Sequence, residues 1–254
     1  MTESSQMHAA RVNVLCIKWG NKYGPEYVNI LHSMVSRHLK RPHRFVCLTE
    51  DAAGIDPSIE VLPLPKVGFK DFDDRVPWAR AHGWLKITSF AKPLYDLTGP
   101  TLFIDLDVVI VGALDSFFDL PGEFIVIKEW DKRDGTGNTS VYRFEAGAHA
   151  DALDYLTTHS DAARREYRNE QQYITTFLKR QGKMSFWPDA WCRSFKRHCV
   201  RAHVLNFFLP PRIPEDARII AFHGKPNPPD AVAGRSGKWY RRVMPTQWVK
   251  DNWR

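Results

Sequence analysis

Apolar positions recur along this chain with two different periods, and the two periods alternate. Short apolar runs rich in β-branched residues predict strands, namely RVNVLCI (11–17), PHRFVCLTE (42–50), SIEVLPLP (58–65) and TLFID (101–105). Other segments place apolar residues three or four positions apart, which predicts helices over residues 25–39 and 83–97. Alternating strands and helices predict an α/β fold, a single domain with a Rossmann-like, mainly parallel central sheet and helices on both faces.

A third helix is predicted within residues 167–180, and its first turn is polar. Asn169 is a suitable N-cap, Gln172 follows it three residues later, and the apolar stripe of the helix comes after them. Glu170 and Gln171 therefore lie in the first turn. A glutamate there also compensates the positive end of the helix dipole, so capping and a catalytic role both stay open for this pair.

Two aspartates, Asp105 and Asp107, come at the end of the fourth predicted strand with Leu106 between them. Residues two apart in an extended chain point to the same side, and open α/β sheets bind ligands at the carboxyl ends of their strands. Two neighbouring carboxylates are costly to bury unless a cation joins them, and divalent cations prefer oxygen ligands. One of them capping the following turn would leave the other unexplained, so the pattern favours a metal site.

The segment RIIAFHGKP repeats this design further along the chain. A short apolar strand, residues 218–222, ends at His223, where a third metal ligand could stand. Lys225 is a point charge suited to phosphate oxygens, and the glycine before it permits close approach of a ligand. A lone histidine is more often structural, which remains the alternative. Paired acids in DFDDR (71–75) follow no strand and predict a solvated or mobile loop over the site.

The amino-acid composition limits the size, the cysteine chemistry and the location of the protein but does not indicate its activity. The chain has 254 residues and 43% hydrophobic residues, which is enough for one large domain. Its four scattered cysteines fit neither a disulfide framework nor a common zinc pattern, so we expect buried thiols in a reducing compartment. The sequence shows neither a signal-peptide pattern at its start nor a long apolar run, so we expect a cytoplasmic protein.

The positive charge is concentrated at the C-terminus. Residues 234–254 hold six basic residues against one acidic residue, in a chain whose formal net charge is +7, and four aromatic residues interleave with them. Two interpretations stay open: a strap whose tryptophans pack on the core, or a reversible contact with an anionic membrane surface, possible because aromatic rings favour headgroups. We therefore divide the chain into a domain, residues 1–233, and a basic aromatic segment, residues 234–254.

Several segments together, in order, resemble the glycogenin-type, family-8 glycosyltransferases of the GT-A fold. The resemblance covers roughly residues 12–228. It rests on the strand, tyrosine-bearing loop and helix of residues 12–39 and on WLKITSF, FIDLDVVIVGALDSFF, GNTSVYRF, NEQQYITTF and FHGKP. An Asp-x-Asp motif alone is weak, but this order and spacing are fairly specific.

The resemblance implies metal-dependent transfer of a hexosyl unit from a nucleotide sugar, usually a UDP-sugar, to a glycan or lipid-linked acceptor with retained configuration. Asp105, Asp107 and His223 would hold Mn²⁺ or Mg²⁺, and Glu170 with Gln171 would lie beside the reacting sugar. Donor-binding roles are implied for Tyr23, Lys86, Asp105, Leu106, Asn138, Ser140 and Lys225. Glu170 stands where the family has aspartate, and Ser140 where it has glycine, which leaves the donor sugar open.

Two other function classes compete with this interpretation. Apolar residues followed by Asp-x-Asp also occur in haloacid-dehalogenase-type phosphatases, but there the motif lies on the first strand. A non-catalytic protein that binds polysaccharide or nucleic acid is the third alternative, given the positive charge and nine tryptophans. No nucleic-acid-binding motif is visible, so a nucleic-acid partner is not expected.

Overall fold

The computed structural model of the chain describes residues 11–66, 83–132, 134–236 and 242–254, and the DFDDR segment lies outside them. The strands are β1 (Val12–Lys18), β2 (His43–Thr49), β3 (Glu60–Pro63), β4 (Pro100–Ile104), β5 (Val108–Ile110), β6 (Phe124–Lys128), β7 (Gly137–Glu145), β8 (Met184–Phe186), β9 (Cys192–Ser194) and β10 (Ile219–Ala221). The α-helices are α1 (Pro25–His38), α2 (Ala150–Thr158), α3 (Ser160–Glu166), α4 (Glu170–Arg180), α5 (Pro228–Val232) and α6 (Gln247–Asn252).

Seven strands form the central sheet in the order β3-β2-β1-β4-β7-β6-β8. Neighbouring strands run parallel except at β7, which is antiparallel to both β4 and β6. A smaller sheet has the strand order β5-β10-β9, and its strand β5 follows β4 in the chain. The prediction of a mainly parallel α/β sheet is therefore confirmed, and the chain reverses direction where β4 meets β7.

Apolar residues cover both faces of the central sheet. Val14 and Cys16 of β1 pack with α1, whereas Leu15 and Ile17 of the same strand pack with Trp84 and the helices on the other face. Alternate side chains of a strand point to opposite faces, so a continuous apolar strand such as β1 must be buried on both sides. Helices on both faces are thus a consequence of the sequence pattern.

The helix predicted over residues 83–97 is shorter and tighter than expected. It is a 3₁₀ helix, Trp84–Phe90. The Thr88 hydroxyl donates to the Leu85 carbonyl and the Ser89 hydroxyl to the Lys86 carbonyl, both at 2.7 Å, so side chains compete for backbone acceptors. Pro93 then removes a donor that a longer helix would need.

The predicted helix start at Asn169 and the predicted state of the cysteines are confirmed. The Asn169 side chain accepts a hydrogen bond from the Gln172 amide at 3.0 Å, and α4 begins at Glu170. The Gln172 side chain accepts from the amide of Arg168. All four cysteines are free and buried.

The described part of the C-terminal segment packs on the domain. Val249 of α6 is buried, and the Trp253 ring lies edge-on to Tyr27 at 5.2 Å. The Arg37 guanidinium on α1 donates to the carbonyls of Asn252 and Arg254, both at 2.5 Å. These contacts favour a packed strap for residues 242–254. Among the helices that the structure describes, none is both long enough and apolar enough to cross a bilayer.

Candidate functional site

A cavity of about 610 Å³ opens where β1 and β4 end. Its floor is the carboxyl edge of the sheet, and its walls are the loop after β1, the start of the 3₁₀ helix and the start of α4. Its described lining is Ile17, Trp19, Gly20, Asn21, Lys22, Tyr23, Glu50, Gly83, Lys86, Asp105, Leu106, Asp107 and Glu170. This volume is in the range of pockets that bind small-molecule ligands.

The two aspartates of the cavity hold different partners. Asp107 accepts a hydrogen bond from the Tyr23 hydroxyl at 2.7 Å, and Asp105 accepts one from the Lys86 ammonium at 2.7 Å. Burial and the neighbouring charge of Asp105 raise the pKa of Asp107 to about 6. Burial alone would lower the pKa of Lys86, but the charges of Asp105 and Glu170 outweigh it, and the net shift is upward. The lysine is therefore held charged.

Glu170 reaches the same cavity from the first turn of α4. It is only 4% exposed, accepts a hydrogen bond from the Thr139 hydroxyl at 3.0 Å, and lies 3.8 Å from the Lys86 nitrogen. Burial raises the pKa of Glu170, while Lys86 opposes the shift. Lys86 thus lies between Asp105 and Glu170, so one buried cation is shared by two carboxylates.

Gln171 and Asn138 meet at a third carboxylate, Glu129. The side-chain amides of Gln171 and Asn138 both donate to Glu129 Oε2, at 2.9 Å and 3.2 Å, and the Gln171 carbonyl oxygen accepts from the Thr139 amide at 3.3 Å. Ser140 contributes through its backbone, because its carbonyl accepts from the Asp105 amide at 2.8 Å. The start of β7 therefore links residues 105–107, which we call the aspartate loop, to the start of α4.

Comparison with known proteins bears on the architecture. No protein-family model matches the sequence, and no curated protein matches it either. Among solved structures, the galactosyltransferase LgtC in complex with donor and acceptor sugar analogs is similar, with a TM-score of 0.58 over 85% of this chain and 88% of that one, at 12% sequence identity. This chain has the fold of a GT-A glycosyltransferase. At this identity the likeness concerns the fold.

Within this GT-A fold, most of the predicted site residues come together. Tyr23, Lys86, Leu106 and the two aspartates line the cavity with Glu170. The cavity lining is connected through Thr139 and Glu129 to the neighbouring residues Asn138, Ser140 and Gln171. Residues that are more than a hundred positions apart in the chain thus converge at one edge of the sheet.

His223 and Lys225 lie differently from the other predicted residues. The Phe222 amide donates to the Asp107 carbonyl at 2.9 Å, so His223 follows directly on a residue bonded to the aspartate loop. Its ring, however, is hydrogen-bonded to the Ser194 hydroxyl at 2.6 Å and stacks on Trp130. Burial and Lys196 lower the pKa of His223, so the ring is neutral at pH 7. Lys225 is exposed, and the described lining of the cavity does not include it.

The donor set suits a divalent cation, although the described residues contain no group of three or more His, Cys, Asp or Glu side chains arranged to hold a metal. Two carboxylates lie together at Asp105 and Asp107, and burial together with the charge of Asp105 raises the pKa of Asp107. Carboxylate oxygens with one neutral imidazole are ligands that Mn²⁺ and Mg²⁺ accept. The triad with His223 stays a prediction, because Nε2 of its ring is hydrogen-bonded to Ser194.

Sequence reasoning missed Glu129 and Thr139. Glu129 directly follows β6, so it ends a buried strand as Asp105 does, and that signal was present in the sequence. Thr139 lies between Asn138 and Ser140 in β7, and strand alternation turns it to the opposite side. That is the side from which α4 approaches, which only the three-dimensional packing reveals.

Proposed function

We propose that this protein is a metal-dependent hexosyltransferase of the glycogenin type that uses a nucleotide sugar, most simply a UDP-sugar. The observation that supports the proposal best is the cavity itself, in which Asp105, Asp107, Lys86 and Glu170 surround one space at the carboxyl edge of a GT-A fold. A haloacid-dehalogenase-type phosphatase is less well supported, because Asp105 follows β4 rather than the first strand of the sheet.

The acidic floor and the tyrosine suit the nucleotide end of the donor. A diphosphate would be repelled by Asp105 and Asp107 alone, so its binding there requires a cation held between them. Mn²⁺ or Mg²⁺ bound by Asp105, Asp107 and His223 would supply Lewis-acid stabilisation of the leaving diphosphate. Lys225, two residues after His223, would add a positive charge to the phosphate oxygens. Tyr23 would lie beside the base.

The start of α4 suits the sugar end of the donor. Glycosyl transfer develops positive charge on the sugar, and a carboxylate aimed at that charge stabilises the transition state. Glu170 supplies such a carboxylate in a buried position, and Gln171 supplies an adjacent amide that Glu129 and Thr139 hold in place. Lys86 keeps Glu170 and Asp105 from repelling each other and would help to fix the donor.

The proposed transfer retains the configuration of the sugar. Two routes give this outcome: the departing phosphate oxygen deprotonates the acceptor on the same face, or a side chain forms a covalent glycosyl intermediate that the acceptor then displaces. The acceptor in this proposal is a glycan or a lipid-linked glycan. The protein would act in the cytoplasm, held reversibly at an anionic membrane surface with the help of the basic segment 234–254.

A donor panel tests the proposed function. The protein is incubated with UDP-, GDP- and ADP-sugars in Mn²⁺, in Mg²⁺ and in EDTA, and free nucleoside diphosphate is measured. We expect release from one nucleotide class in the presence of the metal and none in EDTA. Release of inorganic phosphate from simple phosphate esters, without any release of nucleoside diphosphate, would instead support the phosphatase alternative.

His223→Ala and Lys225→Ala test the diphosphate assignment. Both should weaken binding of the free nucleoside diphosphate in Mn²⁺, by roughly tenfold or more for His223 and less for Lys225, because one removes a metal ligand and the other a point charge. Isothermal calorimetry measures the affinity, and the exposed Lys92→Ala serves as the control. If both variants bind as tightly as the control, the segment after β10 is only a turn.

A further inference from the structure

Exposed apolar side chains are concentrated in one stretch of the chain. Of the eight large apolar side chains that the described residues leave exposed, six lie between residues 204 and 213, which we call the apolar loop. They are Val204 (67% exposed), Leu205 (54%), Phe207 (38%), Phe208 (70%), Leu209 (42%) and Ile213 (38%). Clustered exposure of this kind is uncommon on a monomeric surface and marks a contact site.

The outward orientation of these side chains is built into the local backbone. Residues His203–Phe207 form a 3₁₀ helix, and the Leu209 amide then donates to the Leu205 carbonyl at 2.9 Å. The Arg212 amide closes the loop on the Cys199 carbonyl at 3.0 Å. Asn206, a polar residue, turns inward and is 7% exposed, and Pro211 is also buried. The apolar side chains are therefore presented by an ordered loop and not by a frayed end.

The apolar loop is joined to the rest of the molecule on two sides. The apolar loop follows the π-helix Phe195–Cys199 in the chain. The Phe195 ring of this helix stacks on Phe222, the residue before His223, at 4.4 Å. On the other side, the Trp248 indole of α6 donates to the Pro211 carbonyl at 3.0 Å. The loop thus lies between the segment that follows β10, which carries His223, and the C-terminal helix α6.

Basic residues outnumber acidic ones in the segment that contains the apolar loop, although the two acidic ones, Glu215 and Asp216, follow the loop. Residues 191–218 carry six basic side chains against two acidic ones. The Arg201 guanidinium donates to the Pro210 carbonyl, and Arg212 is exposed within the loop itself. In the C-terminal segment, Arg242 and Lys250 are also exposed. Apolar side chains with a basic border have the composition of a surface that binds an anionic bilayer.

We propose that the apolar loop inserts into the interfacial region of an anionic lipid bilayer. Val204, Leu205 and Phe208 enter among the acyl chains, while Arg201 and Arg212 stay at the headgroups. The apolar burial and the attraction to anionic lipid act together, so neither neutral lipid nor high salt supports full binding. The C-terminal helix α6 contacts the loop through Trp248 and adds Lys250 to the same contact.

A bilayer fits this surface better than a second copy of the chain. Side chains that are 67% and 70% exposed stand out from the surface, and a projection inserts more readily into a fluid interface than against another projection. A symmetric self-contact would also bring the basic residues of the two copies to one interface, and like charges across an interface are unfavourable. Anionic headgroups turn the same charges into attractions.

Vesicle flotation with a surface variant tests the proposal. The variant is Val204→Ser/Phe208→Ser, and Tyr155→Ser, which changes an exposed aromatic residue on α2, is its control. Vesicles contain phosphatidylcholine alone or mixed with phosphatidylglycerol, at low and at high salt. We expect the wild type and the control to bind the anionic vesicles at low salt, and the loop variant to partition roughly tenfold or more weakly. A cooperative thermal unfolding transition in each case shows that all three chains are folded.

Three outcomes would overturn the proposal. Binding of the loop variant equal to that of the wild type, with loss of binding only in Arg242→Ala/Lys250→Ala, assigns the contact to the C-terminal segment. Binding to no vesicle, with a concentration-dependent dimer that the loop variant abolishes, identifies a second copy as the partner. Equal binding to neutral and anionic vesicles at any salt concentration shows that charge does not contribute to the contact. We expect the loop variant to release nucleoside diphosphate in solution at the wild-type rate. A failure of the membrane proposal is therefore distinct from a failure of the proposed transferase activity.

Discussion

Asp107→Asn should reduce transfer by roughly a thousandfold or more while leaving the fold intact. The change removes a carboxylate from the proposed cation site, and a bound cation contributes several kcal/mol to stabilising the leaving diphosphate. The asparagine carbonyl can still accept the hydrogen bond that the Tyr23 hydroxyl donates at 2.7 Å. Transfer is measured as nucleoside diphosphate release in Mn²⁺. The exposed Asp154→Asn is the matched control, and near-normal turnover of Asp107→Asn would remove the metal assignment.

The stability of the same variant should depend on pH in a defined direction. The pKa of Asp107 is raised to about 6 in the folded protein, above the usual aspartate value of about 4, so ionisation costs the folded state free energy. In EDTA at pH 7, Asp107→Asn should therefore be more stable than the wild type, by on the order of 1 kcal/mol. The difference should shrink as pH falls from 6 and vanish below about 4. Urea unfolding at several pH values measures it.

Asp105→Asn makes an instructive contrast with Asp107→Asn. It should also lower transfer strongly, but it removes the carboxylate 2.7 Å from the buried Lys86 ammonium and leaves Glu170 at 3.8 Å as the remaining partner. Weakening a buried ion pair costs about 1–3 kcal/mol, so this variant should be less stable than the wild type. Equal stability of the two variants would show that Lys86 does not depend on Asp105.

Glu170→Gln should lower kcat by roughly two to three orders of magnitude and change donor affinity much less. The charge that Glu170 stabilises appears on the sugar only in the transition state, so its loss affects the rate rather than ground-state binding. The glutamine keeps the contact with the Thr139 hydroxyl, and the fold should survive. Steady-state kinetics and calorimetric donor binding separate the two effects. The exposed Glu166→Gln is the matched control.

The pH profile distinguishes this role from simple helix capping. Burial raises the pKa of Glu170, and the ionised form is the active one, so the kcat of the wild type should rise with pH through that raised pKa. The variant should lack this rise. A variant that loses thermal stability but keeps kcat and its pH profile would show that Glu170 only caps α4.

Strands β1–β4 and β10, and most of the residues that meet at the cavity, could be predicted from local pattern, whereas β5–β9 were not predicted. Apolar β-branched runs such as residues 12–18 can hardly form anything but buried strands, and Asp105 and Asp107 stand out because charge at the end of such a run is costly. The start of α4 at Asn169 followed from capping chemistry. Each of these inferences depends on neighbours within a few positions, which is the range over which sequence patterns act.

Other features were decided only by tertiary structure. The helix predicted after residue 83 became a 3₁₀ turn because side chains and Pro93 compete with its backbone bonds, a balance that apolar spacing does not reveal. Glu129 and Thr139 joined the site through partners 42 and 31 positions away, Gln171 and Glu170. The orientation of His223 toward Ser194 depends on how β10 packs beside β9. The sequence by itself determined strands β1–β4 and β10 and the charges that follow β4 and β10, because these depend on neighbouring residues. Long-range packing decided which of the charges share partners.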